Sequence, residues 1–136
     1  MPATPATELR IPRDPAYVGL ARLVVAQAAR LAGVPQDRVE DVKIAVAEAL
    51  ANATGSDEFG DRDAPIELRF GRTSGGFEVV VLGLDHPTSA VNDTDHPGLD
   101  LLDPKLSFTL IEGLTDEFSH EPDGDLMRLR FVVSTG

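Results

Sequence analysis

The sequence contains no cysteine. That excludes a disulfide framework, a thiolate zinc site and a thiol nucleophile, and it suits a reducing compartment. No apolar run approaches the roughly 20 residues of a membrane-spanning helix. The opening "MPATPATE" has neither a basic start nor an apolar core. A signal peptide is therefore not expected, and the expected location is cytoplasmic, with no membrane partner. Basic residues are scarce: 12 against 23 acidic ones, for a net charge of −11. Binding DNA or RNA through phosphates needs a basic face, so no direct nucleic-acid partner is expected. An acidic surface suits a basic protein partner, and it equally serves solubility. There is no Gly-x-Ser-x-Gly, no Walker lysine loop and no His-Glu-x-x-His.

What is present is a globular composition, 42% hydrophobic and 26% charged over 136 residues. A chain of this size buries roughly 68–70% of its unfolded surface and needs no staples. Residues 1–7 read as a flexible Pro/Ala/Thr tail, and 8–136 as one domain. "ELRIP" alternates as a short strand, with Leu9 and Ile11 on one side. "RDPAYVGLARLVVAQAARLAG" reads as a helix. Asp14 is its N-cap, Pro15 its first position, and Gly33 lies past its end. A second helix starts near Pro35–Asp37, with the apolar stripe Val42, Ala45, Val46, Ala49, Leu50, Ala53. Residues 55–65 form a polar loop. "IELRF" and "FEVVVLGL" flank the turn "RTSGG" as a β-hairpin.

Residues 85–104 are a long acidic loop, functional or loosely ordered. Its two "DHP" words, with Asp93 and His96, could hold a divalent metal, but Pro104 stands where an EF-hand needs its glutamate. A plain acidic loop is the preferred reading. "LSFTLIEGL" reads as a third helix with Leu106, Leu110, Ile111 and Leu114 on one side. "DEFSH" and "DLMRLRFVV" close the chain as two strands around "EPDGD", with His120 at a strand end. Hairpins imply a mostly antiparallel sheet. The expected fold is α+β, a two-layer α/β sandwich with helices on one face.

Within "VEDVKIAVAEALANAT", Glu48 and Asn52 lie one helical turn apart, on the flank of the apolar stripe. The small Ala45 and Ala49 beside them would leave room for a ligand over the helix. A carboxylate there can deprotonate a hydroxyl, and an amide oxygen can ligate Mg²⁺. Taken alone, the pair equally fits a solvated glutamate and a helix-end amide.

"DVKIAVAEALANAT" resembles the Glu-x-x-x-Asn helix of the GHKL ATPase superfamily, closest to the RsbW-like anti-sigma-factor serine kinases. The hairpin, the following loop and "LSFTLIEGLTDEFSH" continue the resemblance in order. It implies the Bergerat, or histidine-kinase-like ATPase, fold. It also implies binding of ATP with Mg²⁺, phosphorylation of a serine on a STAS-domain anti-anti-sigma protein, capture of a sigma factor, and a homodimer. Glu48 would then be the general base and Asn52 the Mg²⁺ ligand. The chain departs from the family at two glycine motifs. Where the family has Asp-x-Gly-x-Gly, this chain has Gly83, Asp85 and Pro87. A two-residue slip of about 7 Å would put Asp85 in the adenine-contacting role. Where the family has a glycine-rich phosphate turn, Lys105 and Ser107 stand in the glycine positions. Lys105 can still meet a phosphate as a point charge. The expected function is therefore an anti-sigma-like regulator with a degenerate ATP site; the alternative is an active serine kinase.

Overall fold

The computed structural model describes residues 7–54, 65–84 and 104–135; the side chains of 52–54 and 104–105 fall outside that description. In chain order come β1 (Thr7–Ile11), α1 (Val18–Ala32), α2 (Gln36–Thr54), β2 (Ile66–Thr73), β3 (Gly76–Leu84), α3 (Pro104–Leu114), β4 (Glu117–Asp123) and β5 (Leu126–Val133). The strands form one sheet in the order β1-β2-β3-β5-β4, and every neighbouring pair is antiparallel. The expected α+β sandwich with helices over one sheet face is what the chain adopts.

Local chemistry sets the helix ends. Asp14 accepts from the Ala16 N–H at 2.9 Å, and Pro15 opens a 3-10 turn that leads into α1. Gly33 ends α1 in the left-handed region, φ 99°, where its N–H bonds the Ala29 and Arg30 carbonyls. α2 follows within three residues, so the two helices lie side by side as a hairpin over the sheet.

The inward side chains are those the strand period selects. Ile66, Leu68 and Phe70 of β2 are fully buried, as are Phe77, Val79 and Val81 of β3 and Leu129, Phe131 and Val133 of β5. From above, Val42, Ala45, Val46, Ala49 and Leu50 of α2 close on them. Each of the buried Val, Leu, Ile and Phe side chains contributes about 1.5–3 kcal/mol on burial. The opposite sheet face is a lattice of ion pairs, most of them cross-strand. Arg69 meets Glu8 and Glu67, Arg130 meets Glu78 and Glu117, and Arg128 meets Glu121. An antiparallel sheet can leave one face to water in this way.

Two expectations change. α3 does not bury Leu110, which is 43% exposed; its buried side is Ser107 and Ile111, one turn apart. β4 extends past His120 to Asp123, so Pro122 lies inside it. β4 is an edge strand, where a missing N–H is tolerated. Among the described residues no helix is long and apolar enough to cross a membrane.

Candidate functional site

The site is built where α3 lies against α2. Glu48 sits on α2 because the apolar stripe of that helix faces the sheet and turns its flank toward α3. Ser107 stands in the first turns of α3, only 9% exposed, and is the one buried polar residue among those described. Its hydroxyl donates to Glu48 Oε2 at 2.9 Å. Two of the five candidate residues, 59 positions apart in sequence, are thus in direct contact.

Of the other three, Asn52 lies in α2 one turn beyond Glu48, and Lys105 lies in the first turn of α3. Their side chains are outside the described residues, as is all of Asp85. The repeated "DHP" words also fall outside. Among the described residues no cluster of three His, Asp, Glu or Cys could hold a metal.

Ala45 and Ala49 do not leave room over the helix. They are 0% and 1% exposed and belong to the core, packed beneath α2. On the flank of α2 that faces α3, Ser107 stands against Glu48. A carboxylate at hydrogen-bond distance from a serine hydroxyl can do two things. It can tie two helices together, or it can accept that proton as a general base.

A second feature, at the end of β3, was not visible in the sequence. Arg13, in the link after β1, donates through Nη2 to the Gly83 carbonyl. Gly83 has φ 88°, at a shift in the β3–β5 register. A Cβ there would lie 3.2 Å from the Pro65 carbonyl oxygen and 3.3 Å from Arg13 Nη2. Backbone and neighbours both demand glycine at 83.

The remote end of α2 is fixed electrostatically. Arg38 bonds Asp41 at 2.6 Å and Asp116 at 2.9 Å. Asp116 also accepts from the Ser134 N–H at 2.7 Å. That backbone bond, aided by Arg38 against some desolvation, holds the Asp116 carboxyl below its ordinary 3.8.

A five-stranded antiparallel sheet, helices on one face, and a helix-borne glutamate at the α2–α3 contact define a domain of the ATPase-like sandwich class. Residues 11–131 match the family described as histidine kinase-like ATPase domain. The chain belongs to that family. Among curated proteins it is similar to serine-protein kinase RsbW of Bacillus subtilis (strain 168), 38% identical over 74 residues, which are 54% of this chain and 46% of that protein. Serine-protein kinase RsbW of Bacillus licheniformis is 36% identical over 74 residues, with the same two shares. The Listeria monocytogenes protein of that name is 37% identical over 62 residues, 46% of this chain and 40% of the relative. The matched segment thus spans about half the length of these relatives.

Proposed function

We infer that this chain is a regulatory binding domain of the anti-sigma-factor type. It holds a sigma factor, or a STAS-domain anti-anti-sigma protein, without strong dependence on ATP. The observation that carries this reading is the hydrogen bond from Ser107 to Glu48. It engages one oxygen of the carboxylate that a kinase would turn toward its substrate. It also puts a side chain where the family resemblance calls for a bare glycine cradle.

In this reading any nucleotide is held only weakly. The Gly83 backbone disfavours an aspartate at that position, since φ 88° and the Pro65 carbonyl would strain any side chain. Lys105 and Ser107 replace glycines at the start of α3. Asn52 and Lys105 remain the candidates for Mg²⁺ and phosphate contacts, and Asp85 for adenine. Residues 8–136 act as one domain, in the cytoplasm and as a homodimer. Exposed Leu20, Leu23 and Leu31 on α1 support the last point.

The test has two arms. Co-purification with candidate sigma factors and STAS-domain proteins in the absence of nucleotide is expected to yield a complex; none with any candidate sinks the reading. Calorimetry with Mg²⁺-ATP is expected to show no binding at millimolar nucleotide. Micromolar binding that Asn52→Ala abolishes would instead favour a second reading, an ATP-dependent serine kinase. The same pair of side chains supports that alternative, because Glu48 already sits within proton-transfer distance of a serine hydroxyl. Ser107 would have to swing aside to free it.

A further inference from the structure

The opposite side of α3 holds a cleft that the Glu48 site does not use. α3 and the edge strand β4 splay apart over about 370 Å³, lined by Phe108, Thr109, Glu112, Phe118, Ser119 and His120. Three rings gather in it. Phe108 and His120 have centroids 4.7 Å apart, and Phe118 lies 5.8 Å from each. His120 is exposed and both phenylalanines are half-buried, so π surface reaches the solvent here. Glu112 lies one turn beyond Phe108 on α3 and lines the same cleft.

The charges around the cleft are unevenly matched. On the neighbouring outer face of the sheet, a smaller cleft is lined by Glu78, Glu121, Arg128 and Arg130, and its carboxylates are already paired with its arginines. Glu117, at the start of β4, is paired with Arg130. Glu112 has no ion pair or hydrogen bond among the described residues. An aromatic floor with one uncompensated carboxylate wants a flat cation. Arginine fits better than lysine: its planar guanidinium stacks on ring faces while its N–H fork meets a carboxylate in bidentate fashion. Phosphate ligands are repelled by Glu112 and by the −11 net charge. Among the described residues lining the cleft, His120 and Glu112 are the only strong metal donors, too few for a metal site.

We propose that the α3–β4 cleft is a docking site for an arginine side chain of a protein partner, stacked on Phe108 and His120 and paired with Glu112. The inference rests on the reading of this chain as a protein-binding regulator, and it places one contact of that binding on a surface distinct from the Glu48–Ser107 contact.

The probe is a blocked Gly-Arg-Gly peptide, with its citrulline and lysine analogues as controls, titrated into the isotopically labelled full chain and followed by NMR. Shifts centred on Phe108, Glu112, Phe118 and His120 are expected with arginine. They should weaken with lysine and vanish with neutral citrulline. Glu112→Gln, an exposed change that leaves the fold intact, should weaken arginine binding about fivefold, the upper range for an exposed ion pair. Equal shifts with arginine and citrulline, shifts scattered over the acidic surface, or no effect of Glu112→Gln would overturn the proposal. Capture of a sigma or STAS partner at equal affinity by wild type and Glu112→Gln would overturn it while sparing the functional reading. Arginine binding in the cleft without any such partner would do the reverse.

Discussion

Replacing Ser107 with alanine removes one hydrogen bond and little else. The donor's partner is a carboxylate, and such bonds are worth about 1.5–3 kcal/mol net when shielded. Glu48 is only half-buried, so water can partly take the lost donor's place. The expected cost is therefore at or just below the lower limit of that range, about 1–1.5 kcal/mol. With an unfolding entropy of about 2.1 cal/mol/K per residue, that lowers Tm by about 3–5 °C for a chain of this length. Glu48→Ala costs more than its share of this one bond, because Glu48 makes a further interaction. A double-mutant cycle isolates the pair. Denaturant unfolding of wild type, Ser107→Ala, Glu48→Ala and the double variant should give a coupling of about 1 kcal/mol. Additivity within about 0.3 kcal/mol would mean that the two side chains do not meet in solution. The claim that Ser107 occupies Glu48 would then be refuted, and with it the observation that sets nucleotide-independent binding ahead of kinase activity.

Gly83→Ala should destabilise by about 1–2 kcal/mol or more, from the left-handed backbone and from crowding against the Pro65 carbonyl; denaturant midpoints read this directly. Ile111→Ala should cost about 2–5 kcal/mol, while Leu110→Ala on the exposed side of α3 should stay within about 0.5 kcal/mol, measured in the same way. Asp116→Asn should destabilise at neutral pH. Because the folded Asp116 carboxyl lies below 3.8, its contribution is full above about pH 5 and is lost as pH falls through the folded value. Thermal melts from pH 7 down to pH 3 should show the wild-type advantage shrinking only at the acidic end, and an advantage that grows on acidification would contradict the Ser134 and Arg38 contacts.

The parts legible in the sequence were those that repetition encodes. α2 announces its buried side through Val42, Ala45, Val46, Ala49 and Leu50, and β2 announces its own through Ile66, Leu68 and Phe70. Each pattern is local, and burial of one face is enough to fix it. α3 shows where this fails. Leu106, Leu110, Ile111 and Leu114 make a plausible apolar stripe; Ile111 is buried as expected, but its buried neighbour one turn away is Ser107, while Leu110 stays exposed. Hydrophobic periodicity cannot select a serine as a core position. What makes that orientation tolerable is an acceptor 59 residues earlier in the chain. The Arg13–Gly83 contact escaped for the same reason, since it joins residues 70 positions apart; the Phe108–Phe118–His120 cluster depends on how α3 turns directly into β4.

The glycine motifs carry this one step further. In the sequence, Lys105 and Ser107 stand where the family resemblance expects phosphate-turn glycines, and they imply a degenerate ATP site. In the folded chain the replacement is an addition. A serine brings a hydroxyl that a glycine lacks, and that hydroxyl meets the Glu48 carboxylate, the base in the proposed kinase alternative. The Ser107 side chain thus braces α3 against α2. The Glu-x-x-x-Asn helix can therefore keep Glu48 for a structural reason, as the acceptor that satisfies an otherwise orphaned buried hydroxyl. Persistence of the glutamate does not by itself argue for a working kinase.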